Sequence, residues 1–159
     1  MAHDLDAAMI CQGAEVSSQL DVSVAMPVSA SPDRVRSYMF DPRHDPEWMA
    51  AVKTVEPLDD DARPGARVRR VGRFLGRTLR WTTEVVSVQP TELQLRIIDG
   101  PMRGTVTYRV EPSESGSLVT IRNTGHAPGF APRWLLAVAM RRSLNADLRR
   151  LRQAVESAT

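Results

Sequence analysis

The sequence predicts an α+β fold: a curved seven-stranded antiparallel sheet with one long C-terminal helix and two short helices after the first strand. Three observations carry that expectation. From Phe130 to Val155, apolar side chains recur at Trp134, Ala137, Met140, Leu144, Leu148, Leu151 and Val155. Steps of three and four residues keep them on one side of a helix. Six strand-like segments then occupy most of residues 51–125, joined by links short enough to favour antiparallel neighbours. A further strand precedes them near Gln19, and two short helical patterns stand between it and the rest.

In chain order, residues 1–15 show no sustained period and are expected to be a loose leader to a single domain over 16–159. Leu20, Val22, Val24 and Met26 alternate with Asp21, Ser23 and Ala25, the pattern of a half-buried strand. Pro27 argues against continuing it as a central strand. Ser31 can cap a helix, Pro32 suits its first position and Asp33 favours its positive end. That helix reaches about Phe40 and offers Val35, Tyr38 and Met39 to a core. Asp41-Pro42 ends it, and Asp45-Pro46-Glu47-Trp48 opens a second short helix with Asp45 as the expected cap. Two short helices in this place can close one end of a curved sheet. Strands are expected at about 51–57, 67–75, 77–88, 92–99, 104–111 and 117–125. Turn residues punctuate them: Asp59-Asp60-Asp61 with Pro64-Gly65, then Gly76, Pro90-Thr91, Gly100-Pro101 and 113–116. The long helix carries Arg142, Arg149 and Arg150 on or near its polar side, so it needs an apolar partner rather than a bilayer.

The totals narrow the function classes. A chain of 159 residues, 42% hydrophobic and 25% charged, can bury a core without staples. Its net charge of +2 is small for a dedicated nucleic-acid binder, and nucleic acid is not an expected partner. Cys11 is the single cysteine, so no internal disulfide forms, and three scattered histidines without a His-x-x-x-His pattern give no metal site. A hydrolase triad lacks its Gly-x-Ser-x-Gly turn. No cofactor is expected. The start of the chain lacks the basic region and length of a secretory signal, and no apolar run is long enough to span a membrane, so a cytoplasmic address is expected.

The order of elements, with Ser31-Pro32-Asp33-Arg34-Val35, Asp41-Pro42 and Pro46-Glu47-Trp48 between the first two strands, resembles the START-like (SRPBCC) superfamily of helix-grip proteins. Within it the chain is similar to the bacterial polyketide cyclase/dehydrase and lipid-transport group. Further marks are Pro64-Gly65, Phe74-Leu75-Gly76, Gln89-Pro90 and Gly116-Ser117-Leu118-Val119-Thr120. The resemblance covers about 19–155. It implies that the sheet wraps around the C-terminal helix and that an apolar cavity lies between them. Members bind lipids, sterols, polyketides, quinones or plant hormones and only some are catalysts, so fold does not settle function. The glycine-rich loop of the plant-hormone branch is absent here, and no catalytic residue is carried over.

Strand alternation assigns an inward face to Arg70, Phe74, Trp81, Thr83, Leu95, Ile97, Tyr108 and Asn123. With Tyr38, Trp48, Trp134, Met140, Arg141 and Leu144 they form the expected ligand-binding set, mostly apolar with a few polar groups. The same residues would also suit a plain core. Arg70 falls among apolar positions, where an unpaired guanidinium is costly. It therefore meets an internal carboxylate such as Asp99, or an anionic ligand, or the register is shifted. Arg141 either reaches the cavity mouth or extends to water. Tyr108 and Asn123 can donate to or orient a ligand carbonyl. The reading that follows is a carrier or sensor of a hydrophobic small molecule (lipid-, polyketide- or quinone-like), acting as monomer or homodimer. The alternative is a polyketide cyclase/dehydratase-type enzyme using the same cavity. A third reading takes the run Arg67, Arg69, Arg70, Arg73, Arg77 and Arg80 as a basic hairpin, an interaction module for nucleic acid or an anionic membrane.

Overall fold

The computed structural model describes residues 19–127, 129 and 131–157. The expected leader, Cys11, Pro128 and Phe130 lie outside the described residues. Seven strands, β1 (Gln19–Val28), β2 (Val52–Pro57), β3 (Arg67–Phe74), β4 (Arg77–Val88), β5 (Glu92–Asp99), β6 (Arg103–Ser113) and β7 (Gly116–His126), form one antiparallel sheet in the order β1-β7-β6-β5-β4-β3-β2. Helix α1 (Pro32–Met39), a single 3-10 turn (Pro42–His44) and α2 (Asp45–Trp48) connect the two edge strands β1 and β2. The long helix α3 (Arg133–Ser157) follows β7. This is the helix-grip α+β architecture.

Local chemistry accounts for the junctions. Ser31 Oγ accepts from the Arg34 N–H at 3.3 Å and Pro32 takes the first helical position of α1. Pro27 is tolerated inside β1 because β1 is an edge strand. At the tip of the β3–β4 hairpin only Leu75 and Gly76 separate the paired Phe74 and Arg77, and both have positive φ, 49° and 75°. Such a two-residue turn matches the twist of the strands it joins. The second helix departs from expectation. Asp45 is its first residue rather than its cap, and its carboxylate is turned inward.

The core is the space between the sheet and α3. Leu20, Val22 and Val24 of β1, with Val110, Val119 and Ile121 of β6 and β7, pack against Leu136, Met140, Leu144, Leu148, Leu151 and Val155 of α3. Burial of each such side chain contributes roughly 1.5–3 kcal/mol. The buried stripe of α3 enters through Leu136 rather than Trp134. At 100° per residue Trp134 falls roughly 100° from the centre of that stripe, and it is 69% exposed.

The outer face of the sheet absorbs much of the arginine. Arg69 pairs with Glu56 at 3.0 Å, Arg96 with Glu84 at 2.7 Å and Arg109 with Glu92 at 2.6 Å, each directly across two neighbouring strands. Arg122 reaches Asp21 diagonally at 2.7 Å. Exposed pairs of this kind are screened by water and salt and add little to stability. Among the described residues, no helix is long and apolar enough to cross a membrane.

Candidate functional site: a cavity between sheet and helix

A cavity of about 180 Å³ lies between the inner face of the sheet and α3. Its sheet wall includes Phe74, Trp81, Leu95, Ile97, Val106 and Ile121; Met140, Ser143, Leu144 and Asp147 of α3 form the opposite wall. Trp48 of α2 and Pro101 and Met102 of the β5–β6 loop also border it. Room for the ring of Trp81 depends on Gly72. A Cβ on Gly72 would stand 2.1 Å from the Ala51 carbonyl oxygen and 3.2 Å from the end of the Trp81 ring. The 2.1 Å approach to backbone leaves no space for any side chain.

Polar groups collect toward α2. Arg70 Nε donates to Asp45 Oδ2 at 2.6 Å, and its Nη1 donates to Thr83 Oγ1 at 2.7 Å. The two side chains of this ion pair are 5% and 2% exposed. Burial raises the Asp45 carboxyl above the usual carboxylate range, and the Arg70 guanidinium opposes that rise. Arg70 thus meets a carboxylate of the protein, and that carboxylate is Asp45 rather than Asp99. Arg70, Leu95 and Tyr108 also line a second recess, whose other walls carry Asp41, Asp59, Asp60 and Asp61 together with Arg36, Arg43 and Arg67. The ion pair therefore stands in a partition between an apolar cavity and a charged recess.

Tyr108 lies beside the pair and meets Trp48 edge to face, with ring centroids 5.8 Å apart. Burial raises its phenol pKa, and Asp45 and Asp147 add to the rise. Asp147 is buried, yet its one hydrogen bond among those resolved is as acceptor, Oδ1 taking the Ala50 N–H at 2.9 Å. Burial pushes its carboxyl up to about 6, against the pull of that N–H and of Arg150. Two buried side-chain atoms have no hydrogen-bond partner among the described residues, Trp48 Nε1 and Asn123 Oδ1. Both belong to residues of the cavity wall.

Eleven of the fourteen expected site residues line this cavity: Trp48, Arg70, Phe74, Trp81, Thr83, Leu95, Ile97, Tyr108, Asn123, Met140 and Leu144. Three do not. Tyr38 stacks on His44 with centroids 4.3 Å apart and donates its hydroxyl to Glu47, packing against the core from among the short helices. Trp134 is turned to solvent, for the angular reason given above. Arg141 extends over the edge of the sheet and donates to the Ser23 carbonyl oxygen at 3.1 Å, so it leaves the cavity instead of reaching its mouth. Sequence reasoning missed Asp147, Ser143 and Asp45. Asp147 had a legible signal, since it sits at helical spacing between Leu144, Leu148 and Leu151, a carboxylate within an apolar stripe. Among the described residues, no group of three or more His, Cys, Asp or Glu side chains is arranged to hold a metal ion.

Solved structures with this architecture include a protein of Thermus thermophilus, at 22% identity and TM-score 0.77, covering 88% of this chain and 99% of that one. An aromatase/cyclase from a Streptomyces species gives 17% identity and TM-score 0.74, over 87% and 94% of the two chains. A START superfamily protein from Mycobacterium smegmatis gives 18% and 0.74, over 89% and 99%. No curated protein matches the chain. Residues 19–156 match the family described as polyketide cyclase / dehydrase and lipid transport. A match that runs from the first described strand almost to the end of α3 takes in every wall of the cavity, and the chain belongs to that family.

Proposed function

We propose that the protein binds a small hydrophobic molecule in the cavity between sheet and α3, as a carrier or sensor acting in the cytoplasm. The observation that carries this reading is the composition of the cavity wall, apolar over most of its extent with a few polar side chains. That is the usual constitution of a small-molecule site. Size limits the occupant. A volume of about 180 Å³ is a little above the roughly 150 Å³ that admits benzene and below the roughly 300–1,000 Å³ of drug-sized sites. As it stands the chamber suits one or two rings. A long acyl chain would require the walls to part.

A second reading is favoured by one feature. Asp147, with its pKa near 6, is poised to hold or release a proton close to neutral pH inside an apolar chamber. Beside Tyr108 and the Arg70–Thr83 contact, this is a setting in which a carbonyl compound could be polarised, as a cyclase or dehydratase requires. Native mass spectrometry of the purified protein, followed by denaturation and extraction, tests the binding reading. A co-purified apolar compound at one per chain is the expected result. A protein that carries none, and takes up no neutral lipophilic dye, overturns it.

A further inference from the structure

The cavity contains more information about its ligand than its apolarity. Its ionisable groups can be assigned one by one. Arg70, the guanidinium in the middle of the wall, already has its charge paired: its Nε donates to Asp45 at 2.6 Å and its Nη1 to Thr83 at 2.7 Å. An incoming carboxylate would have to compete with Asp45 for it inside a buried pair. The other arginine of the lining, Arg73, lies three residues further toward the β3–β4 hairpin, about 10 Å along the strand. It is exposed and turned to the Gly76 carbonyl oxygen at 3.4 Å. There it is screened by water. Asp147 is the remaining ionisable carboxylate of the lining, and the bond resolved for it uses Oδ1 to accept the Ala50 N–H, leaving acceptor capacity on a group with no donor of its own when ionised.

We propose that Asp147 makes the cavity select a small ring compound bearing a hydrogen-bond-donating hydroxyl or amine, and reject carboxylates. The proposal rests on the cavity being the ligand site and adds to it the polarity of the ligand. A hydroxyl or amine placed beside Asp147 supplies a donor to an ionised acceptor, a charge-assisted bond of the stronger kind. A carboxylate in the same place sets two like charges together in an apolar surrounding, where the repulsion is poorly screened.

Groups facing Asp147 come from every side. Arg150 is on its own helix, Ala50 N–H follows α2, and Tyr108 of β6 responds to the charges of Asp45, Arg70 and Asp147 together. The raised Asp45 carboxyl takes up its proton in the same sense as that of Asp147. Comparison with Asp147→Asn separates the two carboxyls.

The test is isothermal titration of the full chain with three ligands of one shape: a naphthol, its methyl ether and the matching naphthoate. At about pH 8 the naphthol is expected to bind about tenfold more tightly than the ether, and the naphthoate at least about tenfold more weakly, as for one charge-assisted hydrogen bond gained or one like-charge contact made. In Asp147→Asn the naphthoate should recover to within about threefold of the ether. Lowering the pH to about 5 should strengthen naphthoate binding to the wild-type chain more than to the variant, which retains only the Asp45 carboxyl. The wild-type ranking of the three ligands at about pH 8 decides the matter even if the variant fails to fold. Equal affinities for all three, or the naphthoate binding tightest, would overturn the selectivity while leaving the cavity as the ligand site. Binding of none would overturn both.

Discussion

Asp147→Asn should stabilise the protein at neutral pH and leave it unchanged in acid. In the folded chain burial raises the Asp147 carboxyl from the 3.8 of an ordinary aspartate to about 6. Held over roughly two decades at 1.36 kcal/mol each, that difference amounts to about 2–3 kcal/mol. The sign follows from proton counting. Below about pH 4 both states carry the proton and Asp147 costs nothing. Between about pH 4 and 6 the folded chain retains a proton that the unfolded chain has lost, so stability falls as pH rises, and above about pH 6 the whole cost is present. Asparagine is uncharged at every pH and its Oδ1 can still accept from the Ala50 N–H, the bond that is 2.9 Å long in the wild type. Urea unfolding of both chains at a series of pH values reads the difference. The variant is expected to be about 2 kcal/mol more stable near pH 7.5, a midpoint about 1 M higher for an m-value of about 2 kcal/mol/M, and to converge with the wild type near pH 4. A variant that is less stable at pH 7.5, or whose advantage is the same at every pH, would refute the assignment of Asp147 as a buried carboxylate whose charge the Ala50 N–H and Arg150 only partly offset.

Two further changes test other parts of the account. Arg70→Met and Asp45→Leu should each destabilise by about 3–5 kcal/mol because each leaves a buried charge alone, while the double variant should recover much of that loss; a double-mutant cycle with no coupling would show that the 2.6 Å pair is not what holds α2 to β3. Leu75→Asn should raise the melting temperature by a few degrees, since asparagine tolerates the φ of 49° at this hairpin tip better than leucine; a lower melting temperature would mean that the half-exposed leucine packs usefully.

The parts of the fold that could be read from sequence are those fixed by short-range chemistry. Ser31-Pro32, the glycine of Leu75-Gly76 and the alternation of Leu20, Val22 and Val24 each specify their local structure without help from distant residues. The inward face of β3 and β4 was legible for the same reason: Arg70 and Thr83 occupy positions of the right parity, and they meet there. What could not be read was partner choice across long sequence separation. Asp45 looked like a helix cap because aspartate before proline usually is one, yet it is drawn inward by Arg70, twenty-five residues later. The apolar residues of the last stretch fitted more than one helical stripe. Trp134 and Leu136 compete at its start, and the sheet decides for Leu136 by covering that side. Asp147 is hidden in the sequence because its neighbours Leu144, Leu148 and Leu151 already make a complete apolar stripe.

The central claim is that sheet and α3 enclose a chamber able to take a ligand, and one titration tests it most directly. A neutral lipophilic fluorophore is titrated into the wild-type chain and into Ile97→Trp, which puts a larger side chain into the cavity wall. The account predicts saturation at one dye per chain in the wild type, and at least about tenfold weaker uptake in a variant whose circular dichroism shows the fold retained. Unsaturable uptake, or uptake untouched by Ile97→Trp, would contradict it.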